Sequence, residues 1–212
     1  MKRKILVAST NPGKLSELRA MLDADVEWVS LSDFEALEEV VEDGLTFEEN
    51  ARKKALGYAK LTGLWTIADD SGLEVDALDD APGVKSARFS GEKSNNRGLL
   101  DHKNMAKVLE LLKGTKGRDR RCRFVCRLAL ASPEKILLET EGVLEGFAAE
   151  EEIGSNGFGY DPIFFLPRLN KTVAQLTAEQ KNAISHRGNA IRRLKPLLEQ
   201  LLAASSATNE DV

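Results

Sequence analysis

With 212 residues, 42% hydrophobic and 30% charged, the chain has the composition of a globular protein that can bury one good core, as a single domain or as two lobes sharing a sheet. A formal net charge of -4 disfavours a nucleic-acid polymer as partner, although a local basic pocket for one small anion stays open. No apolar run approaches the roughly 18 residues that cross a bilayer, and Ile5-Leu6-Val7-Ala8 is too short for a signal peptide, so no membrane partner is expected and the expected location is cytoplasmic.

Ile5 to Ser9 reads as a first strand, Thr10 to Gly13 as a tight loop, and Lys14 to Leu22 as a helix with Leu15, Leu18 and Leu22 on one face. Thr46, with Glu49 three residues on, carries a capping-box pattern for a second helix; Ala51, Ala55, Leu56 and Ala59 form its packing face and Gly63 its stop. Trp65 to Ala68 reads as a brief buried strand and Asp69 to Gly72 as a turn, after which Leu73 to Leu78 alternates apolar and acidic residues. A third helix carries Leu99, Leu100, Met105, Val108, Leu109 and Leu112, and Gly114 is placed to end it. Beyond a basic loop at Lys116 to Arg121, alternation marks a strand from Arg123 to Ala131 and puts Cys122 and Cys126 on one apolar face as core residues. Ser132-Pro133-Glu134 then reads as a turn, and Ile136 to Phe147 as one or two strands with bends or bulges at Gly142 and Gly146.

The loop Gly154 to Pro162 is glycine-rich and leads into an apolar strand, Ile163 to Leu166. Thr177 and Gln180 mark a capping box before a helix expected to run toward Leu202, bent or restarted at Pro196. Residues 205–212 are small and polar and are expected to form a disordered tail, which leaves 1–204 as one two-lobed domain. The expected fold is α/β: an elongated, two-lobed mixed sheet with helices on its faces and a cleft between the lobes.

Several segments carry residue types suited to chemistry. Adjacent carboxylates at Asp69 and Asp70, followed by Ser71, suggest a metal ion where α/β folds place their sites, although acidic pairs in turns are also ordinary turn formers. Ser9-Thr10-Asn11-Pro12-Gly13-Lys14 could cradle a phosphate with free N–H groups, hydroxyls and a lysine, or Thr10 or Asn11 could simply cap the helix. Asn50 and Lys54 share a helical face, with Glu49 and Lys53 as the ordinary surface pair beside them. Phe158 and Tyr160, set among glycines and followed by Asp161-Pro162, could stack on a flat ligand or pack a hairpin. Lys181, Ser185, His186 and Arg187 could grip a ligand or form a solvated basic face. Two histidines and two core cysteines argue against zinc, and oxygen ligands point to Mg²⁺ or Mn²⁺.

Asp69-Asp70-Ser71-Gly72, Phe158-Gly159-Tyr160-Asp161-Pro162 and Ser185-His186-Arg187 occur in one order with the segment Ala81 to Gly91, and together they are specific. The chain resembles the inosine triphosphatase (Ham1) family of noncanonical purine nucleoside triphosphate pyrophosphatases from Lys4 to about Leu202. The resemblance implies Mg²⁺-dependent hydrolysis of dITP, ITP or XTP to the monophosphate and pyrophosphate, in a homodimer that holds the nucleotide between lobes. It implies Asp70 as the metal-binding and catalytic acid, Ser71 as a substrate contact, Ser9, Thr10, Asn11, Pro12, Gly13 and Lys14 around the triphosphate with Lys54, and Phe158, Gly159, Tyr160, Asp161, Lys181, His186 and Arg187 around base and sugar. The family's second metal carboxylate precedes a Gly-x-Thr-Phe segment. Val40 and Val41 interrupt the acidic stretch there, leaving Glu39, Glu42 and Asp43, of which Glu42 is assigned. Rival expectations are a Maf-like pyrophosphatase and a nucleotide-binding regulator without turnover.

Overall fold

The structure is a computed structural model and describes residues 2–207. Among the described residues seven strands form one mixed sheet in the order β2-β1-β3-β4-β5-β6-β7, and the chain divides into two compact units. The first unit contains Met1–Asp70, Arg127–Gly142 and Arg187–Val212, and the second contains Ser71–Cys126 and Val143–His186.

In the first unit, β1 (Arg3–Ala8) pairs in parallel with β2 (Val26–Ser30) and with β3 (Trp65–Val75), placing Leu6 beside Val29 and Thr66. Ile5, Leu6, Val7 and Ala8 are all buried, the continuous apolar run expected of a parallel strand covered on both faces. Helix α1 (Pro12–Met21) starts on Pro12, and Asn11 caps it by accepting from the amides of Gly13 and Lys14. Helix α2 (Phe47–Thr62) is capped by Thr46 and closed by Gly63 at φ 70°, where a left-handed residue is required. Glu49 does not complete the expected box: its carboxylate accepts from the Leu45 amide, one residue earlier than Thr46. The small residues Ala51, Ala55 and Ala59 pack with Ala8, Ala68, Ala129 and Ala131, so helix and sheet backbones approach closely.

In the second unit, α3 (Arg97–Leu111) begins on the Asn96 cap and buries Met105 and Val108 in a cluster with Leu73, Val75, Cys122, Phe124 and Phe164. Residues of β4 (Arg121–Ala131) and β5 (Ile136–Ala148) belong to both units. The end of β5 pairs with β6 (Phe164–Leu166), which pairs with β7 (Lys171–Thr172), both antiparallel. Thr177 and Gln180 form the expected reciprocal capping box at the start of α4 (Ala178–Ile184), and α5 (His186–Ala207) follows.

Several expectations are corrected. Asp69 to Gly72 is no turn: β3 runs unbroken through it. Gly72 is there because a Cβ would sit 2.2 Å from Ser86 Oγ and 2.9 Å from the Gly83 carbonyl oxygen. The last helical stretch breaks at Ser185, not at Pro196, which lies inside α5. Ser205 and Ala207 belong to α5, and the rest of the expected disordered tail, 208–212, lies outside the described residues. Arg120, within the segment read as a basic loop, is buried and donates to the carbonyls of Leu112, Thr115, Ala148 and Ala149. Both cysteines are buried in β4, as the alternation predicts.

Candidate functional site

The sequence-predicted residues fall into two sets, one in each unit. In the first, β3 delivers Asp69 and Asp70 side by side, both buried, and their environments differ sharply. Asp69 Oδ2 accepts from Arg187 Nε at 2.8 Å and Oδ1 is ion-paired with Lys14, while Arg187 Nη1 donates to Glu17. Burial alone would raise the Asp69 carboxyl, but Arg187 and Lys14 outweigh it and hold the group well below the ordinary 3.8. Glu17, Arg187 and Asp69, all buried, and the partly buried Lys14 thus form a chain of alternating charge, anchored by the first helix and the start of the last.

Asp70 goes the other way. Burial pushes its pKa from 3.8 up to about 6; Lys14 and Lys54 pull it down, Glu42 pushes it up, and a hydrogen bond from Asn50 pulls it down. A buried carboxyl that titrates near neutrality with cations at hand is the kind of group active sites use. Lys54 Nζ lies 2.7 Å from Glu42 Oε2 and donates to the Asp69 carbonyl at 3.0 Å, so it bridges the Glu42 segment to β3. Asn50 Oδ1 accepts from the Gly44 amide at 2.7 Å and fixes that segment from the same face of α2. The pair expected between Glu49 and Lys53 does not form, because Lys53 bonds Asp43 and Glu49 bonds the chain at Leu45. In the Ser9 to Lys14 segment the helix-capping role belongs to Asn11, and Ser9 Oγ accepts from the Asn11 amide at 3.2 Å.

Among the described residues no group of three or more His, Cys, Asp or Glu side chains is placed to hold a metal ion. Asp70 and Glu42 nonetheless fit a small hard cation. Both are oxygen donors within electrostatic reach of each other, and such an ion commonly takes only one or two carboxylates, drawing its other ligands from water and phosphate.

The second set surrounds Phe158. Asp161 Oδ2 accepts from the Phe158 amide at 2.9 Å and from Lys181 Nζ at 2.5 Å, and Lys181 Nζ lies 4.3 Å from the centre of the Phe158 ring. Gly157, at φ 77°, leaves room for this carboxylate, since a Cβ would lie 2.0 Å from Asp161 Oδ2. Asp101 Oδ2, from α3, accepts from the Gly159 amide at 2.9 Å.

Two residues expected around a ligand also have partners in the core. Tyr160 is buried in the core with its hydroxyl on the Ser86 carbonyl at 2.8 Å, and burial pushes its phenol far above the ordinary 10.0. His186 stacks on Phe124 at 4.8 Å, and Phe124 stacks on Phe164. Arg187 is held by Asp69 and Glu17 in the first unit. Ser71, the residue after Asp70, is partly buried at the start of the second unit. Sequence reasoning did not single out Glu17 or Asp101. Glu17 lies three residues after Lys14 on the same helical face and could have been found, whereas nothing in the local pattern marks Asp101.

The Ham1 family matches this chain over residues 5–197. Proteins named dITP/XTP pyrophosphatase are similar throughout. The one from Exiguobacterium sibiricum is 48% identical, covering 94% of this chain and 98% of its own, and the one from Bacillus subtilis is 44% identical, covering 93% and 98%. Among solved structures, a HAM1 protein from Coxiella burnetii aligns with TM-score 0.83 at 41% identity, covering 93% of this chain and 99% of its own. The Ham1 protein of Staphylococcus aureus aligns with TM-score 0.82 at 43% identity, with the same coverage.

Proposed function

The chain belongs to the Ham1 family, and from that premise we propose that it is a nucleoside-triphosphate pyrophosphatase that hydrolyses dITP, ITP and XTP to the monophosphate and pyrophosphate. The observation that carries the reading furthest is Asp70, a buried carboxyl raised to about 6 with Lys14, Lys54 and Glu42 around it. Phosphoryl chemistry asks for charge neutralisation and positioning more than for covalent participation. Lys14 and Lys54 supply two cations, and Asn11, at the start of α1, aligns the amides of that helix end. The Asp70 carboxylate, set among these charges, would orient the water that attacks the α-phosphorus or accept its proton.

Asp70 and Glu42 would hold Mg²⁺, with Mn²⁺ as a substitute. Bound there, the ion would neutralise phosphate charge and acidify water. Ser9, Thr10, Asn11, Pro12, Gly13 and Lys14 would line the triphosphate with Lys54, and Ser71 would contact substrate. Phe158 would stack on the base, with Gly159, Tyr160, Asp161, Lys181 and His186 around base and sugar. The amides of Phe158 and Gly159 are already given to carboxylates, so we assign the 6-oxo group of hypoxanthine and xanthine to the Lys181 cation. The 6-amino group of adenine would find a donor there and be rejected. Arg187 would act on the other set, by holding Asp69. We further propose that the enzyme is a homodimer and works in the cytoplasm on the nucleotide pool.

The test is incubation with ITP, XTP, dUTP, GTP and ATP with and without Mg²⁺, identifying the phosphate released. Pyrophosphate from ITP and XTP, abolished in Asp70→Asn, is the expected result. Orthophosphate, product without added divalent ion after chelation, or near wild-type turnover in Asp70→Asn would each overturn the reading.

A further inference from the structure

The loop that carries Phe158 is held from two sides by carboxylates on successive amides. Asp161 takes the Phe158 N–H from within the loop, at 2.9 Å, and the same oxygen binds Lys181, whose ammonium lies against the face of the Phe158 ring. Asp101 takes the next amide, Gly159 N–H, also at 2.9 Å, and reaches it from α3, a separate element 58 residues earlier in the chain. Asp101 thus ties the loop's aromatic segment to a separate helix.

The Asp101 side chain is well shielded, with 13% of its surface exposed, and Arg97, one turn earlier on α3, approaches its other oxygen at 3.3 Å. Arg97 is half exposed, so this pair adds orientation more than binding energy. Gly159 has φ 61°, and a Cβ there would meet nothing within 4 Å. Glycine is therefore required at 159 by backbone conformation and not by space. A left-handed glycine has many alternatives open to it, and the hydrogen bond its amide donates to Asp101 adds a constraint from outside the loop to the local turn bonds around it. A charged acceptor on a shielded amide is among the stronger hydrogen bonds a protein makes.

We propose that Asp101 is a positioning residue for the base-binding loop, fixing the peptide after Phe158 so that the ring is held ready for a purine. The inference rests on the reading of Phe158 as the stacking partner and adds a residue outside the loop that sets its geometry. Preorganisation of this kind acts on binding: a platform that must be ordered by each incoming base weakens affinity, while the phosphate chemistry, performed by other residues, keeps its rate.

Asp101→Ala and Asp101→Asn separate this from a general loss of stability, because asparagine keeps an acceptor oxygen at the same reach. For Asp101→Ala we expect KM for ITP to rise about tenfold with kcat within about twofold of wild type. Asp101→Asn should recover most of the KM, and Lys103→Ala, also on α3, should change neither constant. In parallel, amide hydrogen exchange should quicken at both Phe158 and Gly159 in Asp101→Ala, a measurement that needs no turnover. It therefore stands even if the substrate assignment fails. Unchanged KM in Asp101→Ala, a fall in kcat without a rise in KM, or accelerated exchange confined to Gly159 would overturn the proposal.

Discussion

Asp69 and Asp70 are neighbours in sequence with opposite electrostatic fates, and the difference lies in what each is packed against. Asp69 is compensated by Arg187 and Lys14 and stays ionised, whereas burial of Asp70 exceeds the pull of Lys14 and Lys54. The consequence for stability can be signed. A folded pKa of about 6 against an ordinary 3.8 means that the folded state binds the proton more tightly, so the contribution of Asp70 is fully present below about pH 4 and is lost as pH rises through 6. The full difference is of the order of 3 kcal/mol. Without divalent ions, Asp70→Asn should therefore gain stability relative to wild type between pH 5 and pH 8. Added Mg²⁺ should raise the melting temperature of the wild type at pH 8 and leave that of Asp70→Asn unchanged. Thermal melts at the two pH values check this, and a pH-independent gap between the proteins would count against it. The residue types of this site were visible in the sequence, but the partition of roles was not. It depends on Arg187, 118 residues away in sequence from Asp69.

At the scale of elements, the starts and stops of helices were the most legible part of the chain, because caps act locally. Thr46, Gly63, and Thr177 with Gln180 all cap as their chemistry predicts, although Glu49 does not complete the box at Thr46. What failed were inferences about segments whose conformation is imposed from afar. A turn was expected at Asp69 to Gly72 because acids and glycine favour turns in isolation. The strand persists because Asp69 is neutralised by distant partners and Gly72 answers to the close approach of Ser86 and not to a positive φ. The burial of Arg120 was not legible for a similar reason: its acceptors lie just past α3 and at the end of β5, so its burial is a tertiary fact. Short strands such as β2 and β7 offered too little pattern to be read. The Gly72 argument has a direct test. Gly72→Ala keeps an allowed backbone conformation but drives a methyl into Ser86, so urea denaturation should show a loss of about 1–3 kcal/mol. The same change at Gly98, where a Cβ would meet only Asn96 Oδ1 at 3.5 Å, should cost little or stabilise the helix. Equal effects at both positions would refute the packing explanation for Gly72.

For the molecule as a whole, the proposed function divides the tasks a nucleotide imposes between residues of two units. Lys14, Lys54, Glu42, Asp69, Asp70 and Arg187 belong to the first unit, and Phe158, Asp161, Lys181, His186 and Asp101 to the second. The first set has the charge chemistry that phosphates call for, and the second has the ring and the cation that the proposed base contact calls for. If the tasks are separable, fragments of the substrate should report on one set each. Tripolyphosphate, which has no base, should compete with ITP through the first set, and inosine, which has no phosphate, through the second. Lys54→Ala should then weaken inhibition by tripolyphosphate about tenfold or more, reflecting the loss of a charge-assisted contact, while inhibition by inosine stays within about twofold. Phe158→Ala should do the reverse, through the loss of one stacking contact worth about tenfold. Because each variant serves as the control for the other, a general loss of folding would appear as parallel weakening of both inhibitors. Parallel weakening in variants whose melting temperatures match the wild type would mean that the two sets act as one, and the division of labour would have to be abandoned.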